Sequence, residues 1–158
     1  MKFLDIIIGG NEAERKYQEA LELQRNGLYN EAAAAYRNVI QLDPSFYKAY
    51  TNLGSVLLKN LKHTNEDVDK RFSEAIESYL KALELKPDDA ITLYNLGTIE
   101  YENFNNEEKA FDYFARAIKA DSYHRQKVYA YLSFASYYPN EDFSKVIERS
   151  IFCPDRKK

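Results

Sequence analysis

The sequence predicts an all-α fold in which helical hairpins repeat along a single domain, residues 1–158. Only five glycines and four prolines occur, so strand-and-turn signals are scarce and long helices with brief connections are favoured. Apolar residues form 45 % of the chain and charged residues 30 %, which is the balance of a globular protein. A motif also recurs three times, and a recurring unit of this size is typical of helical repeat proteins.

The recurring motif occupies residues 27–44, 70–87 and 105–122, which align without gaps. Each copy has an alanine, an aromatic residue four positions later, and an aliphatic or small residue three positions beyond that. Steps of four and three place these side chains on one helical face, so each copy predicts the second helix of a hairpin. The residues are Ala32, Tyr36 and Val39; Ala75, Tyr79 and Ala82; and Ala110, Phe114 and Ala117.

The first helix of each hairpin is predicted upstream of the motif, where residues 49–60 match residues 92–103. A glycine recurs there at the same register, as Gly54 and Gly97. Glycine inside a helix costs about 1 kcal/mol relative to alanine, so its recurrence predicts that another backbone comes close. We expect Gly54 to meet Ala75 of its partner helix.

This arrangement resembles the tetratricopeptide repeat family, whose units have about 34 residues. The resemblance covers residues 13–122 and implies a right-handed solenoid of helix pairs that binds other proteins without catalysis. It rests on Ala20, Gly27, Tyr29, Ala32, Tyr36 and Val39, then on Gly54, Phe72, Ala75, Tyr79, Ala82 and Pro87, and then on Gly97, Ala110, Phe114 and Ala117. The predicted boundaries are an N-terminal extension at 1–12, repeats at 13–46, 47–89 and 90–124, a degenerate repeat or capping helix pair at 125–152, and a tail at 153–158.

A charged run inside the second repeat is predicted to be an insertion. Pro44 and Pro87 lie 43 residues apart, about nine more than a period of about 34. The excess, around residues 61–69, separates two helices of one hairpin, so it is not a linker between domains. It is interpreted as a disordered loop, as an ordered spur that lengthens both helices with Thr64 or Asn65 as a cap, or as such a spur contacting a partner.

The N-terminal stretch MKFLDIIIGG has the lysine and apolar residues of a short signal peptide. Asp5 interrupts the apolar run and no further apolar residues extend it, so we expect it to belong to the mature fold. Three roles are open for it. It packs on the first helix as a cap, pairs with another copy in a homodimer, or lies in the groove as an internal ligand with Gly9 and Gly10 as the hinge.

The chain has no pattern for catalysis or for binding a cofactor or a metal. Glycine-rich phosphate loops and His/Cys pairs at metal-ligand spacing are missing, His63 and His124 lie in polar stretches, and the acidic cluster at 106–109 is interpreted as a helix start. The single Cys153 fits a reducing, cytoplasmic compartment. Because 22 basic residues face 25 acidic ones without a basic block, we expect no nucleic-acid or membrane partner.

The resemblance implies that the first helix of every unit lines a groove for a partner's peptide or helix. Tyrosine suits recognition through its apolar face and hydroxyl, although packing between helices is the alternative for each one. Asn52 and Asn95 are stronger candidates because polar residues recur there beside leucines. The candidates are Tyr17, Leu21, Gln24 and Arg25; Lys48, Thr51, Asn52, Ser55 and Lys59; Ile91, Tyr94, Asn95, Thr98, Tyr101 and Glu102; and Gln126, Tyr129, Ser133 and Tyr137.

Some members of the family clamp the terminal carboxylate of heat-shock chaperones with lysine, asparagine and arginine. The corresponding positions here are Tyr17, Leu21, Asn52, Ile91 and Asn95. Asn52 alone matches, so a peptide with apolar anchors is the expected ligand. The sequence therefore predicts a scaffold, adaptor or co-chaperone, with a secretion chaperone or a regulatory subunit of an enzyme complex as alternatives.

Overall fold

The computed structural model describes residues 3–59 and 68–121 together with Tyr123, His124, Lys127 and Val128, with side chains from Glu12 onward. Every regular secondary-structure element over these ranges is an α-helix, which confirms the all-α class. The helices are α1 (Phe3–Arg25), α2 (Tyr29–Leu42), α3 (Tyr47–Lys59), α4 (Val68–Leu85), α5 (Ala90–Glu102) and α6 (Glu107–Ala120). The chain divides into two compact units, Met1–Pro87 and Asp88–Lys158.

In the first unit, α1 packs on α2, α2 on α3 and α3 on α4, which is the order expected of consecutive hairpins. Their shared core is made of small and aromatic side chains from the recurring motif and of aliphatic side chains from α3. The motif residues are buried, as their spacing predicts: Ala32, Tyr36, Val39, Ala75, Tyr79 and Ala82.

Helix α1 begins well before the predicted start of the first repeat at residue 13. Its backbone is helical from Phe3 through Gly9 and Gly10, so the predicted hinge at these glycines is wrong, and this segment continues the first helix instead of folding back over it. Once a helix is nucleated, each further residue adds a backbone hydrogen bond. That gain offsets the cost of about 1 kcal/mol for each glycine.

The turn between α1 and α2 depends on Gly27, whose φ is +76°. The Gly27 N–H donates to the carbonyl of Gln24 (3.1 Å) and the Leu28 N–H to the carbonyl of Leu23 (3.0 Å). These two bonds form a Schellman motif, in which the residue with left-handed backbone is usually glycine. The sharp reversal lets α2 return along α1.

Helix α4 is one turn longer than α2 and α6. It begins at Val68, four residues before Phe72, which aligns with the first residues of both other helices. In this added turn, Arg71 is buried and its Nη2 donates to Asn30 Oδ1 at the start of α2 (3.1 Å). Val68 and Asp69 from the predicted insertion are therefore helical, whereas residues 61–67 lie outside the described part of the chain.

A second polar link joins the same two helices. The Arg37 guanidinium donates through Nε and Nη2 to the two carboxylate oxygens of Glu74, at 2.8 and 3.0 Å. Bidentate pairs of this kind fix orientation as well as distance. Together with the Arg71 link, it holds α2 and α4 in a defined register.

In the second unit, α5 and α6 form one hairpin around Ala110, Phe114, Ile118 and Val128. Helix α5 is capped by Asp89, whose carboxylate accepts from the Thr92 N–H (3.0 Å). Helix α6 is capped by Asn106, which accepts from the Lys109 N–H (3.3 Å), so residues 106–109 are a helix start, as predicted. Apart from Lys127 and Val128, the predicted pair at 125–152 and the tail lie outside the described residues.

Candidate functional site

The recurring glycines let an aromatic ring of the partner helix lie directly on the first helix. A Cβ on Gly54 would lie 2.8 Å from two ring carbons of Tyr79 and 3.0 Å from the carbonyl oxygen of Ala75. A Cβ on Gly97 would lie 2.6 Å from two ring carbons of Phe114. The predicted approach of Gly54 to Ala75 is confirmed, but the aromatic ring four residues later makes the closest contact.

In the first two hairpins, a tyrosine hydroxyl of the second helix also contacts a polar side chain of the first helix. Tyr36 donates to Gln24 Oε1 (2.6 Å), and the hydroxyls of Tyr79 and Ser55 lie 3.1 Å apart. Phe114 has no hydroxyl to make this contact. Thr98, which aligns with Ser55, donates to the Tyr94 carbonyl (3.1 Å), as Ser55 does to the Thr51 carbonyl (3.0 Å). Polar side chains predicted to line a groove therefore also hold their own hairpins together.

Tyr17 and Asn52 link the first helices of the first two repeats. Asn52 Nδ2 donates to the Tyr17 hydroxyl over 2.9 Å. The Tyr17 ring is only 8 % exposed and packs on Phe46 with ring centroids 4.9 Å apart. Tyr17 thus serves packing, and Asn52 is half-buried beside it.

The same cluster contains Tyr36, which lies behind Tyr17 with ring centroids 6.0 Å apart. Desolvation by burial raises the pKa of the Tyr36 phenol well above its ordinary value. The neutral hydroxyl is therefore the form that the fold stabilises, and it donates the hydrogen bond to Gln24.

Helix α3 presents one polar stripe, defined as Lys48, Asn52, Ser55 and Lys59. Steps of four, three and four keep these side chains on one helical face, and the lysines at both ends are exposed. The Nζ of Lys59 lies 5.8 Å from the ring centroid of Tyr29. Asn52 and Ser55 are half-buried between the lysines and are tied to Tyr17 and Tyr79.

The other candidates in the first unit are less available. Thr51 is buried and its hydroxyl donates to the Tyr47 carbonyl (3.3 Å). Leu21 and Gln24 are half-buried, and Arg25 is exposed but forms a salt bridge with Glu22.

In the second unit, α5 carries a different surface. Ile91 is 53 % exposed at its start. Tyr94 is half-buried, with its ring centroid 5.9 Å from that of Phe114 and 6.1 Å from that of His124, and burial raises its pKa. Asn95, Thr98 and Tyr101 are half-buried and Glu102 is exposed; Gln126, Tyr129, Ser133 and Tyr137 lie outside the described residues.

His124 is a buried residue that the sequence analysis interpreted as lying in a polar stretch; it is only 4 % exposed. It ends a turn in which Asp121 accepts from the Tyr123 N–H (3.0 Å). The same turn occurs at Asp43, which accepts from the Ser45 N–H (2.9 Å). The usable signal was the alignment of DPSF at 43–46 with DSYH at 121–124, which places the imidazole where the earlier turn has a phenyl ring.

Glu100 is a second buried polar residue that the sequence analysis did not single out. It is 7 % exposed and forms a salt bridge with Lys109 of α6. The two earlier repeats have Leu23 and Leu57 at the aligned position, and Leu57 is fully buried. An acid at an otherwise apolar register was the signal that could have revealed it.

The described residues contain neither a cluster of metal ligands nor a membrane-spanning helix. Within the described part of the chain, no three His, Cys, Asp or Glu residues are grouped so that they could hold a metal ion. None of the six helices α1–α6 combines the length and apolar character that crossing a membrane requires. What the arrangement presents is a set of first-helix side chains on a tightly packed support.

Comparison with known proteins gives a match to the family model described as TPR repeat, over residues 25–60 and 70–103. The human protein O-mannosyl-transferase TMTC3 is 35 % identical over 60 % of this chain, and human protein O-mannosyl-transferase TMTC2 is 40 % identical over 49 %. Anaphase-promoting complex subunit 3 of Schizosaccharomyces pombe is 29 % identical over 63 %. These matches span 9 %, 8 % and 14 % of the respective relatives, so the chain corresponds to a small part of each.

Proposed function

We propose that this chain, which matches the tetratricopeptide repeat family over residues 25–60 and 70–103, is a non-catalytic module that binds a peptide or a helix of a partner protein. Tetratricopeptide repeats are protein-interaction modules, and arrays of stacked repeats use extended surfaces for binding. The finer proposal is that the first helix of the second repeat, α3, supplies the contact residues.

The observation that carries this proposal is the polar stripe on α3. Two exposed lysines flank the Asn52 amide and the Ser55 hydroxyl. Hydrogen bonds to Tyr17 and Tyr79 fix the positions of these two groups. A contact surface that is already ordered loses little conformational entropy on binding, which favours affinity. The opposite face of α3 is buried in the core and is formed by Ala49, Leu53, Val56 and Leu57.

The relatives support a role in binding rather than in catalysis. Similar stretches occur in two proteins named as transferases and in one named as a subunit of a complex. A stretch shared by proteins with such different names serves a function that does not depend on the chemistry of any one of them. The complex subunit favours a second proposal, that this chain acts as one subunit of a larger assembly.

The single cysteine supports a reducing compartment such as the cytoplasm.

Selection from a displayed library of random peptides tests the binding function. The full chain is immobilised, and enriched peptides are then measured by fluorescence polarisation against the wild type and variants. We expect dissociation constants in the micromolar range, equivalent to about −8 kcal/mol. Asn52→Ala/Ser55→Ala should weaken binding, and its unfolding is measured in parallel to separate a lost contact from a lost fold.

A matched control alters exposed residues on the second helices. Glu77→Ala/Lys119→Ala removes side chains from exposed positions of α4 and α6 and should leave peptide binding unchanged. The proposal fails if no peptide is enriched over an unrelated immobilised protein. It also fails if the control weakens binding as much as the α3 variant does.

A further inference from the structure

The two lysines of the α3 stripe differ from seven of the described arginines and lysines, which form salt bridges with carboxylates. Examples are Arg15 with Glu19, Arg37 with Glu74, Lys81 with Glu84, and Arg116 with Asp112. Helix α3 contains no acidic residue. Among the described residues, no carboxylate pairs with Lys48 or Lys59.

The surroundings of these lysines make them available to a partner. Both are exposed, and Lys59 rests near the Tyr29 ring, 5.8 Å from its centroid, which restrains the ammonium without neutralising it. Between them, the stripe offers an amide and a hydroxyl. The chain as a whole has a net charge of −3, whereas α3 carries two cations that have no carboxylate partner among the described residues.

We infer that the α3 stripe recognises an acidic segment of a protein partner, with side-chain carboxylates reaching Lys48 and Lys59. This inference rests on the proposed function and specifies the partner's chemistry. Eleven residues of helix separate the lysines, which is about 16 Å along the axis. An extended peptide covers that distance in about five residues, so the matching segment carries acidic residues about five positions apart. Charge complementarity at such positions selects the partner and speeds encounter.

The test uses the library selection with the peptide's C-terminus blocked by fusion, so that only side-chain carboxylates can supply negative charge. We expect the wild-type chain to enrich peptides with Asp or Glu pairs about five residues apart. On Lys48→Gln/Lys59→Gln, that acidic bias should disappear. On Lys48→Arg/Lys59→Arg, which keeps both charges, it should persist.

One enriched peptide is then measured by fluorescence polarisation. We expect replacement of its two acids by glutamine to weaken binding about ten-fold. Raising the salt from about 50 mM to about 300 mM should also weaken it, because exposed charges are screened. The control Lys81→Gln/Lys119→Gln removes the same charge from exposed positions on α4 and α6 and should bind like the wild type.

The outcomes separate the two proposals. Enriched peptides without an acidic bias, or a bias unchanged in Lys48→Gln/Lys59→Gln, would overturn the acidic-partner inference while leaving peptide binding intact. Failure to enrich any peptide would count against the proposed function itself. An oligonucleotide of equal charge that displaces the peptide more effectively than the free peptide does would identify a nucleic acid as the occupant and overturn the inference.

Discussion

The ring of Phe114 lies directly on Gly97, so that a Cβ at position 97 would stand 2.6 Å from ring carbons Cδ1 and Cε1. Real Cβ atoms do not approach carbon so closely, and Phe114 is fully buried, so its ring has nowhere to move. This contact requires glycine, because any side chain at position 97 would overlap the ring. The packing of the ring therefore outweighs the low helix propensity of glycine. The same relationship joins Gly54 and Tyr79.

Gly97→Ala is expected to destabilise the protein by about 1–2 kcal/mol net, because overpacking outweighs the gain in helix propensity. Equilibrium urea unfolding measures the change. In a Phe114→Leu background the ring is gone, and the same substitution should cost less or become stabilising. An equal cost in both backgrounds would show that the Phe114 contact is not the cause.

Gly27→Ala is expected to cost about 1–2 kcal/mol for a different reason, since the backbone there is left-handed. No atom lies within 4 Å of a Cβ at this position, so steric crowding contributes nothing. Gly27→Asn should cost less, because asparagine tolerates this conformation better than alanine. The two variants are compared by thermal and urea unfolding, and equal losses would contradict the backbone explanation.

Lys109→Met is expected to destabilise the second unit by about 1–3 kcal/mol, because it leaves the buried Glu100 carboxylate without its cation. The expected loss can be as small as about 1 kcal/mol because the Lys109 side chain is half-exposed, so water already screens its attraction to Glu100. Glu100→Leu/Lys109→Met should return close to wild-type stability, since leucine occupies the aligned position in the other repeats. A double-mutant cycle by urea unfolding tests this, and additive losses would refute a coupled pair.

Alkaline pH is expected to lower the free energy of unfolding through Tyr36. Burial raises the pKa of this phenol in the folded state, whereas in the unfolded chain it ionises near pH 10, so the unfolded state gains stability as pH rises above about 10. Tyr36→Phe should be less stable by about 1 kcal/mol at neutral pH, because the bond to Gln24 is lost. Its stability should fall less steeply between pH 9 and pH 11 than that of the wild type.

Urea unfolding across that pH range provides the measurement, with Tyr123→Phe as the control. Tyr123 is 62 % exposed, so its removal should leave the slope against pH unchanged. Parallel slopes for the wild type and Tyr36→Phe would show that other tyrosines dominate the alkaline loss.

The sequence was sufficient to predict the helical hairpins and the buried face of each second helix. Residues such as Ala75, Tyr79 and Ala82 meet on one face through spacing alone, because helical periodicity is a local property of the chain. The repeated glycines likewise predicted a close contact between the two helices of a hairpin. The predicted groove positions came from the resemblance to the repeat family, and several of them, including Lys48 and Lys59, are exposed.

Tertiary packing alone decided what each buried polar side chain meets. Periodicity could not show that Tyr17 is covered by Phe46 or that Arg71 reaches Asn30. Each of these facts depends on a second helix or turn that lies far along the chain, whereas a sequence pattern reports only the face of its own helix. For the same reason, only the structure shows that no carboxylate among the described residues pairs with Lys48 or Lys59.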